Sequence, residues 1–397
     1  MKVLLINSVC GTGSTGRIVT DLHDVIIESG NDARIAFGVG SVNRVDPEHT
    51  FCFANRCDYY VHNLMSKITD RAGFYSKRNT MKLVEFIKEY KPDIIHLHNL
   101  HGYYLNVKIL FNFLKEYDKP VVWTLHDCWA FTGHCAYFSR SDCDKWMTEC
   151  CRCHEKKSYP TSYVFNCARK NFIQKKELFT SIKNMSILTP SIWLKNMVEK
   201  SFLKKYPVIA VGNGIDLDDF KPVTSDFRER YNLKGKKILL AVANVWAERK
   251  GIYDYIQLSK LIDNSCKLVL VGMTDHQIKN MPNNILALPK TKSIKELVQI
   301  YTASDVLLNL STEETFGMTT VEALACGTPV ITYNKTAVPE PVTKNNGYVV
   351  EQGDVKQIYN LIKDFPDFDV KELRKSICKY DKNLIYQGML SIYRSIL

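Results

Sequence analysis

The chain has 397 residues, 45% of them hydrophobic and 24% charged, and a net charge of +11. These are the values of a globular protein of two or three domains, and they exclude a disordered chain, a collagen and a coiled coil. The positive balance points to an anionic partner: a phosphorylated substrate, nucleic acid or an anionic lipid surface. In chain order, residues 3–7 are a continuous apolar run that predicts a buried strand. The turn Gly11-Thr12-Gly13-Ser14-Thr15-Gly16 follows, then an amphipathic helix over 17–28. Strands are expected at 33–38, 93–98 and 120–125, with helices at 81–90 and 107–117. Residues 128–160, rich in Cys, His and aromatics, break the rhythm and read as an irregular insertion. A helix over 163–182 and strands at 186–189 and 208–211 come next.

The pattern then starts again, with strands at 237–243, 267–272, 306–310 and 329–332 and helices at 251–261, 294–303 and 319–326. Residues 370–397 are helical and basic-aromatic. Strands that alternate with helices, each a continuous apolar run, indicate parallel sheets covered on both faces. The expectation is an α/β protein of two doubly wound domains. These are 1–207, carrying the insertion 128–160, and 208–397, whose last helix, 370–397, packs back on the first domain. Two such domains facing one another would take ligands at the carboxyl ends of their strands.

The first ten residues hold one lysine and a short apolar run, too little for a secretory signal. No apolar window approaches the ~20 residues of a membrane span. The expected location is therefore the cytoplasm, with any membrane contact peripheral. Residues 152–205 hold 12 Lys and Arg against three acids, Glu155, Glu177 and Glu199, and the run includes Lys170, Lys175 and Lys176. Such a stretch suits an anionic membrane surface or a solvated helix face. Thirteen cysteines without an export signal argue against a disulfide framework. Cys135, Cys143, Cys150 and Cys153 are spaced C-x7-C-x6-C-x2-C and could hold one structural zinc; His134, Cys151 and His154 lie alongside. The alternative is four small buried side chains.

The most informative stretch runs from Ser311 to Ile331, Ser-Thr-Glu-Glu-Thr-Phe-Gly-Met-Thr-Thr-Val-Glu-Ala-Leu-Ala-Cys-Gly-Thr-Pro-Val-Ile. It leaves a strand and enters a helix, whose free N–H groups and positive dipole end favour a phosphate. Glu314 precedes that helix and Glu322 lies in its first turn, so both carboxylates could accept hydrogen bonds from one polyhydroxy ligand. Gly317 would let the backbone come close to it. Thr319 and Glu322 also fit a T-x-x-E capping box, which would make Glu322 structural.

This stretch resembles the signature of the retaining GT-B glycosyltransferases of family 4: two glutamates with seven residues between them, Phe-Gly after the first, and Ala-x-Ala-Cys-Gly-x-Pro-Val around and after the second. The likeness extends to the Gly-rich turn, to Asn213-Gly214-Ile215-Asp216 and to Arg249-Lys250-Gly251. The run Thr124-Leu125-His126-Asp127-Cys128-Trp129-Ala130-Phe131-Thr132-Gly133 is similar to a branch acting in capsule, exopolysaccharide or colanic-acid assembly.

The resemblance implies a GT-B fold, and Glu314, His126 and Lys250 as the catalytic group. Glu314 would contact the donor sugar, the Phe316 and Gly317 backbone would lie beside it, and Glu322 would hold the nucleotide ribose. Met318, Thr319 and Thr320 belong to the same donor stretch, and Gly13 would approach the diphosphate or the acceptor. Lys250 would meet the diphosphate with Arg249 beside it. The family's arginine six residues before this lysine is here Asn244, which leaves open which cation completes the clamp. His126 would position hydroxyls, and His98, His101 and Asn106 would line the acceptor side.

The expected activity is transfer of a hexose-type sugar from a nucleotide diphosphate sugar, with retention, to a saccharide or lipid-linked oligosaccharide in surface polysaccharide synthesis. No catalytic metal and no nucleic-acid partner is expected. The alternatives are a nucleotide-sugar epimerase of the same fold and a non-catalytic nucleotide-sugar or anionic-polymer binding protein.

Overall fold

The computed structural model describes residues 1–397, the side chain of Arg140 excepted. The chain divides into two units, Met1–Gly212 with Ile385–Leu397, and Asn213–Leu384. The first is built on strands β1 (Lys2–Asn7), β2 (Asp32–Phe37), β3 (Thr50–Cys52), β4 (Ile94–Leu97), β5 (Val121–Thr124), β6 (Met185–Thr189) and β7 (Val208–Ala210). They form one parallel sheet in the order β3-β2-β1-β4-β5-β6-β7. Its helices are α1 (Gly13–Glu28), α2 (Arg56–Thr69), α3 (Lys77–Tyr90), α4 (Val107–Tyr117), α5 (Ala168–Phe179) and α6 (Ile192–Lys200). Every residue of β4, β5 and β6 is buried, as expected for strands covered on both faces.

Val208–Ala210, placed by the sequence at the start of the second domain, pairs with β6 as the last strand of this first sheet. Helix α1 starts at Gly13, four residues earlier than its apolar pattern suggests. Neither β3 nor α2 is legible in the sequence. The strand is a three-residue edge, and the helix does not bury its apolar side chains. The insertion 128–160 holds only three short 3-10 turns, Trp129–Phe131, Ser139–Ser141 and Lys145–Met147.

The second unit contains α7 (Phe227–Arg230), β8 (Lys237–Val242), α8 (Ile252–Ser259), β9 (Cys266–Val271), α9 (Asp275–Lys279), β10 (Ile285–Leu288), α10 (Ile294–Ala303), β11 (Val306–Asn309) and α11 (Met318–Ala325). After these come β12 (Val330–Tyr333), β13 (Gly347–Val350), α12 (Val355–Lys363) and α13 (Val370–Ser376). Its parallel sheet runs β10-β9-β8-β11-β12-β13.

The segment expected as one helix over 370–397 is α13, a 3-10 turn and then α14 (Lys382–Ile396). From Ile385 on, α14 belongs to the first unit: Tyr386, Met389, Leu390 and Tyr393 join the core formed by β1, β2 and α1. The buried hydroxyl of Tyr393 hydrogen-bonds His96 Nδ1 on β4. In each sheet the chain reverses its direction of travel between two strands, β1/β4 and β8/β11. Beyond the carboxyl ends of such a pair lies the natural crevice of a doubly wound sheet.

Candidate active site

In the second unit the turns after β8 and β11 meet at that reversal. Leu310 O faces Gly251, where a Cβ would lie 2.3 Å from it, and Gly251 has φ +74°. Glycine is therefore required for the two turns to touch. Thr312 N donates to Arg249 O at 2.8 Å, and Arg249 Nη1 donates to Glu313 O at 3.2 Å. With the turns locked in this way, the Lys250 ammonium pairs with the Glu314 carboxylate, both side chains being mostly buried. Glu314 N donates to Thr336 Oγ1 at 3.0 Å, which fixes its backbone.

Helix α11 begins immediately beyond. Its N-cap is Gly317, at φ +87°, and no side chain caps it. The first N–H groups of α11 thus stay open to an anion close to Lys250 and Arg249. Thr319 lies inside the helix, so the alternative capping box does not form. The Glu322 carboxylate is buried and accepts from Tyr301 Oη at 2.9 Å. Thr320 Oγ1 accepts from Asn309 Nδ2 at 3.0 Å, tying the helix to the end of β11. Phe316 points into the core against Tyr380, which leaves only its backbone for a ligand. Met318 and Thr319 are half-buried at the helix start, and Asn244 is exposed, outside this hydrogen-bonded group.

In the first unit the ends of β4 and β5 gather histidines. His98 Nδ1 and His126 Nε2 are 3.1 Å apart, their rings stacked at 5.4 Å, and the His96 ring lies 4.2 Å from that of His98. Burial pushes His96 down to about 3, His126 down to about 4 and His98 well below the usual imidazole range. All three rings are therefore neutral near pH 7, and in the His98–His126 contact one donates while the other accepts. His101 Nε2 lies 2.6 Å from Asp127 Oδ2, a close contact that lacks hydrogen-bond geometry, and His101 Nδ1 meets Tyr159 Oη at 2.9 Å. Burial works to raise the Asp127 carboxyl, but His101 and the Trp129 amide outweigh it and hold it below the usual range. Gly13 opens α1 with φ +68°, and the space where its Cβ would stand is open, as close approach of a ligand requires. Gly11 serves packing instead: a Cβ there would meet Asn43 O at 2.1 Å.

The family model described as Glycosyltransferase Family 4 matches residues 17–219, more than half of the chain, and that described as Glycosyl transferases group 1 matches residues 223–383. The chain belongs to the family 4 glycosyltransferases. Of its relatives, the putative colanic acid biosynthesis glycosyl transferase WcaC of Escherichia coli K12 is 24% identical over 382 residues, 91% of this chain and 90% of that one. The capsular polysaccharide biosynthesis glycosyltransferase CapM of Staphylococcus aureus is 26% identical over 240 residues, 53% of this chain and 62% of CapM. Two solved structures align over 100% of this chain. Sucrose-phosphate synthase of Thermosynechococcus elongatus has a TM-score of 0.71 at 16% identity, over 98% of its own length. HepE of Anabaena, in complex with UDP and glucose, has 0.69 at 15%, over 100%. The fold of this glycosyltransferase is GT-B, two Rossmann-like units each built on a parallel sheet.

Three expectations for the transferase need correction. Asn106 does not line an acceptor site: it is buried as the N-cap of α4. Its Oδ1 accepts from Ile109 N at 3.1 Å and its Nδ2 donates to Phe74 O at 2.6 Å. The cysteines Cys135, Cys143, Cys150 and Cys153 share one cluster and all are free thiols, with Cys135 and Cys153 in hydrogen-bond contact. Among the described residues, however, no three or more His, Cys, Asp or Glu are placed together as the ligands of a metal ion. Phe131, Phe138 and Trp146 of the insertion pack ring against ring and join the core of the first unit. Lys175, in the basic stretch, is not a surface cation. It is buried, donates to Trp129 O at 2.8 Å and Thr132 O at 3.2 Å, and lies 3.5 Å from the Trp129 ring.

Sequence reasoning also missed Tyr301, Thr336 and Tyr159, which orient Glu322, Glu314 and His101 from distant parts of the chain. No local pattern marks them. Among the described residues no helix is long and apolar enough to cross a membrane.

Proposed function

We propose that this glycosyltransferase moves a hexose-type sugar from a nucleoside diphosphate sugar to a saccharide acceptor, with retention at the anomeric carbon. The observation that carries the reading is the Lys250–Glu314 pair beside the uncapped N-terminus of α11. A cation and open amides next to a carboxylate suit a diphosphate joined to a polyhydroxy ring. Lys250 and Arg249 meet the diphosphate and offset the charge that gathers on it as the sugar departs. Glu314 accepts from sugar hydroxyls beside the Phe316 and Gly317 backbone, and Glu322, oriented by Tyr301, accepts from the ribose hydroxyls. In the transfer the bond from the anomeric carbon to the phosphate oxygen breaks. The bond to the acceptor oxygen forms on the same face, and the acceptor proton leaves with the diphosphate. His126, neutral and partly exposed, suits hydrogen bonding to a hydroxyl better than service as a base, since burial pushes it down to about 4. The names of the relatives, colanic acid and capsular polysaccharide biosynthesis, support an acceptor in surface polysaccharide assembly; we infer that this acceptor is a saccharide or a lipid-linked oligosaccharide met on the cytoplasmic side of the membrane.

A thermal-shift panel of nucleoside diphosphates, followed by calorimetry on the best ligand, tests this reading. Glu322→Gln is expected to weaken nucleoside diphosphate binding by roughly 10- to 100-fold, as for loss of a buried charged hydrogen bond worth ~1.5–3 kcal/mol. Unchanged affinity in a folded variant would return Glu322 to a purely structural role.

GT-B glycosyltransferases generally act without a metal ion, and here Lys250, Arg249 and the start of α11 supply positive charge at the diphosphate. Transfer measured in EDTA is therefore expected to match transfer in Mg²⁺ within about twofold, small against the 10²–10³-fold effects of losing a charge-stabilising group. A strict requirement for added Mg²⁺ or Mn²⁺ would reject the cationic clamp.

A further inference from the structure

Helix α2 is amphipathic the wrong way round for a domain helix. The residues it buries are His62 and Ser66, whereas Tyr60, Val61, Leu64 and Ile68 form a stripe along its exposed face. A helix on a globular domain ordinarily turns its apolar stripe inward. The inner face of α2 is held by polar contacts instead: His62 Nε2 accepts from Gly73 N at 3.1 Å, and its Nδ1 meets Ser76 Oγ at 2.8 Å. With both ring nitrogens engaged, the helix cannot rotate its stripe inward without abandoning two buried hydrogen bonds.

A second apolar element is fastened to the end of this helix. Tyr163 N donates to Lys67 O at 2.7 Å and Phe165 N to Ile68 O at 3.0 Å, while Ser162 Oγ braces the turn at Phe165 O, 2.9 Å away. Tyr163, Val164 and Phe165 are each more than half exposed, as are Tyr60, Val61 and Leu64. Helix stripe and loop tip therefore form one continuous apolar and aromatic surface. Cations rim it: Lys67 on the helix and Lys156, whose ammonium donates to Val164 O at 3.4 Å, with exposed Lys157 next to it in the chain.

We propose that this face of α2 and the 162–165 turn is a docking surface for an anionic lipid leaflet. Apolar side chains enter the boundary between headgroups and acyl chains, Tyr60 and Tyr163 lie at headgroup level, and the lysines reach anionic headgroups. A second copy of the chain is a poorer occupant, because it would bring the same cations face to face. The surface goes beyond the transferase reading and does not depend on it.

The test is flotation of the full chain with vesicles of 30% phosphatidylglycerol in phosphatidylcholine, at low and at high salt. The wild type is expected to bind, to bind phosphatidylcholine vesicles at least about fivefold less, and to be released by salt. The triple variant Val61→Ser, Leu64→Ser, Phe165→Ser should lose binding at least about fivefold, with its melting temperature and nucleoside diphosphate affinity unchanged. The double variant Lys156→Glu, Lys157→Glu should lose binding to the anionic vesicles alone. Equal binding of wild type and triple variant, or no wild-type binding, overturns the proposal. So does a wild-type dimer in sedimentation that the triple variant dissolves, which would make the face a self-association surface.

Discussion

Lys250→Ala is expected to lower kcat/KM for sugar transfer about 100- to 1,000-fold, with the fold and melting temperature preserved. The turn that carries Lys250 does not depend on its side chain. It is held by the amide of Thr312 on Arg249 O and by the tight approach of Gly251 to Leu310 O. The loss therefore falls on the chemistry. A preorganised cation, mostly shielded from water, stabilises charge on the departing diphosphate by ~2.7–4 kcal/mol more than water would. Lys250→Arg keeps the charge but replaces a point ammonium with a planar fork, so it should recover only part of the rate. Glu314→Gln should lower kcat more than it raises KM for the donor, because its partner Lys250 remains to hold the diphosphate. Steady-state kinetics with the donor that the nucleotide panel identifies decide the matter. A Lys250→Ala enzyme within about threefold of wild type would mean that Arg249-Lys250 is an ordinary surface turn, since a clamp of this kind contributes at least 100-fold.

The second large effect is loss of stability in mild acid. Burial pushes His62 and His96 down to about 3, His126 down to about 4 and His98 well below its usual range, and all four lie in the first unit. Unfolded, each takes a proton near pH ~6.5; folded, none does until well below that. The unfolded chain therefore binds more protons as pH falls from about 6.5 toward 4, and the native state loses stability through that window. Each site contributes up to ~1.4 kcal/mol per pH unit, so four sites give a slope of up to ~5 kcal/mol per pH unit. That is comparable with the whole stability of a domain, ~5–15 kcal/mol.

Urea unfolding at pH 7.5, 6.5 and 5.5, followed by tryptophan fluorescence, should show a loss of about 5 kcal/mol at the lowest pH. A flat profile over this window would mean that the histidines are solvated or charged in the folded state. Lys175 acts in a different range. Burial pushes it down to about 7, so its contribution rises from there toward alkaline pH and adds a smaller loss between pH 7.5 and 6.5, above the window of the histidines.

Sequence alone determined what is carried by short-range pattern. Parallel strands buried on both faces are continuous apolar runs, so β1, β4, β5, β8, β11 and β12 were visible as strings of aliphatic residues. Glu314, Phe316, Gly317 and Glu322 lie in one strand-to-helix connection, where spacing sets their relation. What tertiary structure decided is carried by neighbours that strand order brings together. His96 and His98 meet His126 because β4 and β5 pair in parallel, and Lys250 reaches Glu314 because β8 and β11 are adjacent. Thr319 and Glu322 matched a capping box by spacing, but Gly317 at positive φ starts the helix earlier and leaves Glu322 to Tyr301. Lys175 read as a surface cation because charge is visible in sequence and burial is not; two carbonyls and an indole face, contributed by Trp129 and Thr132, hold it inside. The outward stripe of α2 reverses the usual inference from amphipathic pattern, since a helix period shows that one face is apolar, and only the hydrogen bonds of His62 decide which face points to solvent.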